Sequence, residues 1–196
     1  DLDTTIDAGM AHPVMPLFIA AKVSGELLGD GDPNLVVELA NGFAGSGFIV
    51  ADLLRAALTA GAGRPQVPVV LGPLPWLVIA APTTGAAAPR ESLLLLRDAG
   101  QLPMLSPNVA GWPGGANWFN AGSLVARANL AAVVAADATD EEVLAAAESD
   151  DMDDLADALG LPASGFEEQT RVALAAAPSG RDRLAVALIS PEFMIA

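Results

Sequence analysis

The architecture of this chain is built around one segment, Pro107-Asn108-Val109-Ala110-Gly111-Trp112-Pro113-Gly114-Gly115-Ala116-Asn117-Trp118-Phe119-Asn120, which holds two of the three tryptophans. Its three glycines can adopt positive φ or pass close to another segment, and Pro113 holds its own φ near −65°. We therefore expect a shaped loop, called here the Trp/Gly loop. The aromatic rings give this loop enough apolar area to pack onto helices, and we expect Trp112 to lie in the core.

The segments on either side of the Trp/Gly loop predict helices. Upstream, residues 90–99 contain four consecutive leucines and are closed by Gly100. Downstream, Ser123 or Asn120 can cap a long apolar helix that runs to about Ala136. Because this second helix is apolar on most sides, we expect it to be central and to carry the Trp/Gly loop on residues 123–136.

Three helices are predicted in the N-terminal third, where apolar residues recur at helical spacing. The second of them has Asp32 as its N-cap and Pro33 at its first position. The predicted core faces are Leu17, Ala20, Ala21, Ser24, Leu27 and Leu28 in the first helix, Val36, Leu39, Ala40 and Phe43 in the second, and Val50, Leu53, Leu54, Ala57 and Leu58 in the third.

Further helices are predicted in the rest of the chain. Residues 76–80 fit either a short helix or a strand, and we favour a helix after Pro75. Three capping boxes are predicted to open helices: Thr139 with Glu142, Ser164 with Glu167, and Ser179 with Asp182. Asp150-Asp151 predicts one more helix start, stopped by Gly160-Leu161-Pro162.

These patterns together predict the all-α class. We expect residues 1–196 to form a single compact domain of about eight to ten short helices with long Gly/Pro-rich loops. The best candidate for an internal boundary is 61–75, which is rich in glycine and proline.

The charge of the chain limits its partners. Acidic residues outnumber basic ones 24 to 9, for a net charge of −15. A nucleic-acid backbone or an anionic lipid surface would repel such a chain, so we expect no nucleic-acid partner. The longest apolar run, 67–82, is short and broken by prolines, so we expect no transmembrane segment.

The residue inventory excludes several kinds of reaction centre. The chain has no cysteine and one histidine, His12, so a thiolate or multi-histidine metal site is excluded. No dinucleotide fingerprint, phosphate-binding loop or nucleophile elbow is present, and we expect no cofactor. Asp150, Asp151, Asp153 and Asp154 lack the glycine and glutamate of a calcium loop, so an acidic helix N-terminus is the preferred interpretation and no metal is expected.

The candidate functional residues lie in the Trp/Gly loop and in the helix that follows it. They are Asn108, Trp112, Trp118, Asn120 and Arg127. A guanidinium in an apolar helix needs carbonyls, a carboxylate or an aromatic face. Arg127, with Asn129, is therefore expected to fasten the loop to the helix, and the alternative is that these residues line a ligand site.

The same residues carry a family resemblance. The motifs, in chain order, are His12-Pro13, Asp32-Pro33 with Phe43 and Ser46-Gly47, Leu53 to Leu58, Pro73 with Trp76, Gly100-Gln101, Pro107 to Gly115, Trp118, Asn120, Ala126-Arg127-Ala128-Asn129, and Ser190-Pro191-Glu192-Phe193. Together they resemble the bacterial family called domain of unknown function 1800. The resemblance covers nearly the whole chain, and the Gly-Trp-Pro-Gly-Gly segment makes it specific.

The resemblance implies a largely helical, exported protein and supplies no catalytic residues. It also implies that this chain corresponds to the C-terminal half of such proteins. Two functions stay open. The first is a non-enzymatic structural or protein-interaction module, with a protein partner or self-assembly. The second is a hydrolase-like or small-ligand-binding domain whose site is completed by an upstream half.

Overall fold

The computed structural model describes residues 1–29, 32–63, 69–87, 91–109 and 111–195. Within those ranges the regular secondary structure is helical, apart from an isolated antiparallel bridge between Val70 and Ile195, and this confirms the all-α class. The described part contains twelve α-helices, slightly more than the eight to ten expected. They are α1 (Leu2–Met10), α2 (Met15–Leu28), α3 (Pro33–Gly45), α4 (Val50–Ala62), α5 (Pro73–Thr83), α6 (Ser92–Asp98), α7 (Ala121–Ala136), α8 (Glu141–Glu148), α9 (Met152–Ala158), α10 (Glu168–Ala175), α11 (Gly180–Leu188) and α12 (Pro191–Met194), with a 3-10 turn at Gly115–Trp118.

The chain divides into two compact units, Asp1–Pro68 and Val69–Ala196. We call them unit 1 and unit 2. The change from one to the other falls within 61–75, where α4 ends at Ala62 and α5 begins at Pro73. The middle of the predicted loop, 64–68, and Arg90 of the predicted helix 90–99 lie outside the described residues.

Unit 1 has its own core, made by α2, α3 and α4. The predicted cap of α3 is confirmed, since Asp32 Oδ1 accepts a hydrogen bond from the Asn34 amide at 2.9 Å. The predicted face of α3 is buried, whereas α4 buries Leu53 and Ala57 and leaves Leu58 57% exposed. Leu17 and Leu27 of α2 are also exposed, because each helix has a neighbour on only part of its apolar side.

Helix α1 was not predicted. Its residues include Asp3, Asp7 and Gly9, which are poor helix formers, and none of its side chains is buried. Asp1 caps it by accepting a hydrogen bond from the Thr4 amide at 2.9 Å.

Unit 2 is organised around α7, as predicted. Helices α5, α6 and α11 pack against it, and Leu130, Ala131 and Val134 are fully buried. The helical interpretation of residues 76–80 is confirmed by α5, where the fully buried Trp76 donates from Nε1 to the Leu188 carbonyl at 2.7 Å.

Two arginines of α11 bind the C-terminal carbonyls of neighbouring helices. Arg181 Nη1 donates to the carbonyls of Ala135 and Ala136, at 2.5 and 2.8 Å. Arg183 Nη1 donates to the carbonyls of Ala147 and Ser149, at 2.9 and 2.5 Å. A cation at the end of a helix satisfies unpaired carbonyls and opposes the helix dipole, so α11 closes the ends of α7 and α8.

Of the three helix starts predicted from capping boxes, the one at Ser179 is confirmed. Ser179 Oγ accepts from the Asp182 amide at 3.2 Å. The Thr139 prediction is wrong by one residue, because Asp140 caps α8 while the Thr139 hydroxyl donates to the Gly85 carbonyl at 2.6 Å. The Ser164 prediction is also wrong, since α10 begins only after Glu167.

The acidic segment behaves as an acidic helix start. Asp151 caps α9 by accepting from the Asp153 amide at 2.9 Å, and Gly160 closes that helix with φ of +70°. No group of three or more His, Cys, Asp or Glu side chains within the described ranges is arranged to hold a metal ion.

Across the residues with a described structure, no single helix combines the length and apolar character needed to cross a membrane. Only α7 and α8 taken together reach that length and composition, and they meet at a bend of 109°.

Candidate functional site

The end of the Trp/Gly loop is shaped by asparagine side chains. Asn117 Nδ2 donates to the Gly114 carbonyl at 3.0 Å, and Asn120 Nδ2 donates to the Asn117 carbonyl at 3.1 Å. Asn120 Oδ1 accepts from the Ser123 amide at 2.9 Å and so caps α7. Of the two caps considered from the sequence, Asn120 is the one used, and both polar atoms of its side chain serve the backbone.

Two glycines of this loop take the backbone conformation expected of them. Gly111 has φ of +92° and Gly115 has φ of +55°. Other residues adopt these angles only under strain, so the two positions explain why the loop needs glycine.

The two tryptophans of the loop have different environments. Trp118 is buried, with 4% of its surface exposed, and its ring lies beside Gly100. Trp112 is only half-buried, and its buried Nε1 has no hydrogen-bond partner among the described residues. The expectation of Trp112 in the core is therefore wrong, and Trp118 is the buried ring of the loop.

Arg127 is fully buried and holds a different segment from the one expected. Its Nη2 donates to the Leu71 carbonyl at 2.7 Å, and its Nη1 lies 3.5 Å from the sulfur of Met194. The prediction that Arg127 fastens the Trp/Gly loop is thus wrong: the guanidinium ties α7 to the residues just before α5 and to α12. Asn129, the second residue of that prediction, is exposed.

Burial perturbs the Arg127 guanidinium. Desolvation lowers the pKa of Arg127 to about 10, so the side chain stays protonated at neutral pH. Its Nε has no hydrogen-bond partner among the described residues. A buried cation of this kind is held by carbonyl oxygen and sulfur, and it is not presented to solvent.

The upstream part of the Trp/Gly region is exposed. Asn108 lies at the surface, and its carbonyl accepts from Ser106 Oγ and from the Gly111 amide, each at 3.1 Å. Three large apolar residues nearby, Met104, Leu105 and Val109, are at least two-thirds exposed. Met104 has φ of +67°, an uncommon value for a residue with a side chain.

A shallow groove of about 440 Å³ lies between α6 and the start of α7. It is lined by Leu95, Asp98, Ala121, Gly122, Val125, Ala126 and Asn129. None of the five predicted residues lines it. The run of four leucines, 93–96, could have indicated this groove from the sequence. Consecutive residues of a helix point about 100° apart, so four leucines in a row cannot all face one neighbouring helix, and some must stay exposed. Leu96 is buried, while Leu93 and Leu94 are more than half exposed.

The five predicted residues do not form one site. Trp118 and Arg127 belong to the packed interior, Asn120 caps a helix, Trp112 is half-buried and Asn108 is exposed. Met104, Leu105 and Val109 are exposed near them in the sequence, and the α6/α7 groove is lined mainly by apolar residues.

Comparison with known proteins adds one finding. A family model described as "Protein of unknown function (DUF1800)" matches residues 1–195. No curated protein and no solved structure matches the chain.

Proposed function

Since the chain belongs to the DUF1800 family, whose description names no activity, we propose from the geometry that it is a non-enzymatic protein-interaction module that docks through unit 2. Two apolar features of unit 2 carry this proposal: the exposed side chains of Met104, Leu105 and Val109, and the α6/α7 groove. We call these residues and the groove the loop surface.

The exposure of the loop surface is costly for an isolated protein. Met104 is 94% exposed and Val109 is fully exposed, although their segment is joined to a loop stabilised by asparagine hydrogen bonds and a buried tryptophan. Apolar area of this kind gains about 25 cal/mol per Å² when a partner covers it. A shaped loop with apolar side chains in water is typical of a docking surface.

The charge of the chain favours a partner of different sequence over a second copy. Two copies of a chain with a net charge of −15 repel each other. Asp98, which lines the groove, is already paired with Arg97 at 3.0 Å, so the negative charge that favours a basic partner is that of the whole chain. The partner we propose is therefore a protein with apolar contact residues and a positive flank.

The compartment belongs to the same proposal. The family resemblance implies export, and we propose that the module acts outside the cytoplasm. Fractionation of the native host, followed by immunodetection, would find the protein outside the cytoplasmic fraction. Detection in the cytoplasmic fraction alone would contradict export without touching the docking proposal.

Site-specific photocrosslinking tests the loop surface. A photoreactive residue at Val109 or Val125 is expected to capture one shared protein, whereas the same group at Val172, an exposed residue of α10, should not. The captured protein is then purified, and Val109→Ser combined with Val125→Ser should weaken its binding at least about tenfold, while Val172→Ser should leave it unchanged. Equal binding by all variants, or the same products from all three positions, would refute the proposal.

A further inference from the structure

Unit 1 contains a second concave surface, between α3 and α4, which the proposed function does not use. Its volume is about 320 Å³, at the lower end of the range for ligand pockets (about 300–1,000 Å³). The floor is apolar and comes from Leu35, Leu39, Phe43 and Leu53, each at most 4% exposed. We call it the α3/α4 groove.

One wall of this groove contains a glycine, which leaves the groove open because it has no side chain. Gly42 lines the groove, and a Cβ added there would meet no atom within 4 Å. Its φ lies outside the left-handed region, so the backbone does not require glycine here. Glycine in a helix interior lowers stability by roughly 0.5–1 kcal/mol relative to alanine. At position 42 the missing side chain leaves open space above the apolar floor.

The rim of the groove is acidic. Among the described residues that line it, Glu38 and Asp52 are the charged ones, and both are exposed. Asp52 also pairs with Arg55 at 2.8 Å, but both side chains are exposed, 48% and 73%, and such a pair is weak enough in water for Asp52 to exchange it for another cation. An apolar floor beneath two carboxylates is complementary to an apolar ligand that carries positive charge.

The chemistry of the occupant follows from the helices. The backbone groups along α3 and α4 are bonded within the helices, so they offer no edge to which an extended peptide could add as a strand. Recognition must use side chains, as when an amphipathic helix lies in an apolar groove. A second copy is disfavoured, because the apolar stripe of α1, formed by Leu2, Ile6 and Met10, lies on a helix with Asp1, Asp3 and Asp7.

We infer that the α3/α4 groove binds a basic amphipathic helix of another protein. Its apolar side chains enter the open space above Gly42, and its lysine or arginine side chains lie beside Glu38 and Asp52. This inference concerns unit 1 and does not rest on the proposed function of unit 2.

A synthetic peptide of about 14 residues can serve as the probe, with leucine at helical spacing i, i+3, i+4, i+7 and lysine elsewhere. Fluorescence anisotropy of the labelled peptide with the full chain should show binding that weakens as salt is raised. A peptide of the same composition with scrambled leucines should bind at least about tenfold more weakly. Equal binding of the two peptides, or no binding of the first, would overturn the inference.

Two matched variants test the location. Gly42→Met fills the groove and should weaken peptide binding at least about tenfold, whereas Gly25→Met, at another helix position with open space on α2, should not. If both variants bind like wild type, the peptide is held only by the general acidity of the chain, and the inference fails. Should circular dichroism show that Gly42→Met is unfolded, Glu38→Lys replaces it: this exposed change reverses a rim charge and must weaken binding and reduce its salt dependence.

These experiments separate the two proposals. The loop variants at Val109 and Val125 leave the α3/α4 groove intact, and Gly42→Met leaves the loop surface intact. Failure in one unit therefore does not mimic failure in the other.

Discussion

At the scale of single residues, the buried side chains of unit 2 show how polar groups are used inside this protein. Arg127 is fully buried, and the contacts that hold it are a carbonyl oxygen and a thioether. Burial lowers its pKa to about 10, because desolvation disfavours the charged guanidinium. The hydrogen bond to Leu71 and the packing of the long side chain offset that cost.

This balance predicts different outcomes for two substitutions of Arg127. Arg127→Ala removes the packing and the donor to the Leu71 carbonyl, and should lower the free energy of unfolding by roughly 2–5 kcal/mol. Arg127→Met keeps most of the volume and removes the buried charge, so it should lose at least about 1.5 kcal/mol less than Arg127→Ala. Urea denaturation of both variants measures the difference, and equal losses would mean that packing is not what Arg127 supplies.

The two tryptophans of the Trp/Gly loop predict a ranking. Trp118→Ala truncates a buried ring and should cost roughly 3–5 kcal/mol. Trp112→Ala should cost less, because Trp112 is half-buried and its indole N–H has no partner among the described residues. Thermal and urea unfolding followed by circular dichroism would reveal the order, and a larger loss for Trp112→Ala would contradict the structure.

At the scale of elements, α12 supplies the cap that α10 lacks. Glu167 precedes α10 without a side-chain cap of its own, and its amide donates to Glu192 Oε1 at 2.9 Å. The Thr170 hydroxyl donates to both carboxylate oxygens of Glu192 at 3.1 Å. Burial alone would raise the pKa of Glu192, but the hydrogen bonds from Glu167, its own amide, Thr170 and Ser190 outweigh it and lower the pKa below its usual value.

The sign of that shift predicts a loss of stability in acid. A carboxyl group with a lowered folded pKa stabilises the protein above its unfolded pKa, and the contribution disappears as pH falls through the folded value. Glu192→Gln should therefore lower the free energy of unfolding by about 1 kcal/mol at pH 7, and the difference from wild type should shrink below about pH 4.

The control for this prediction lies on the helix that is capped. Glu168→Gln changes an exposed carboxylate of α10 and should not reproduce the pH-dependent difference. Urea midpoints between pH 3 and 7 provide the measurement. A Glu192→Gln effect of the same size at both ends of that range would rule out the cap as its source.

At the scale of the molecule, the described residues contain two separate hydrophobic cores. One lies in α2–α4 and the other in the helices of unit 2. All three tryptophans belong to unit 2, at positions 76, 112 and 118. Tryptophan fluorescence therefore reports on unit 2 alone, whereas far-ultraviolet circular dichroism reports on the helices of both units.

Because the cores are separate, a destabilising substitution in unit 1 should not shift the unfolding midpoint measured by the tryptophan fluorescence of unit 2. Leu39→Ala should destabilise unit 1 by roughly 2–5 kcal/mol and shift part of the dichroism transition, with the fluorescence midpoint unchanged. Leu130→Ala, in the core of unit 2, should shift the fluorescence midpoint. A fluorescence midpoint that moves with Leu39→Ala would show that the units unfold as one, in agreement with the single domain predicted from the sequence.

Much of the helical architecture could be predicted because its causes are local. The caps at Asp32, Asn120 and Ser179 each use a side chain and an amide two or three residues away, and such contacts form wherever the segment is helical. The buried face of α3 follows from spacing alone. Helix α1 was not predicted, because its local helix propensity is weak and it has no buried apolar face that a spacing pattern could indicate.

The roles of the candidate residues depended on partners far away in the chain. Arg127 binds a carbonyl 56 residues upstream, and Glu192 accepts from an amide 25 residues upstream, so no local pattern identifies either contact. The surfaces left open, at Met104 to Val109 and in the α3/α4 groove, are defined by where neighbouring helices do not pack. The helices follow from the sequence alone, because their caps and apolar spacing are local. Which helix faces are covered and which polar groups are hydrogen-bonded depends on the tertiary structure, because those contacts join segments that are distant in the chain.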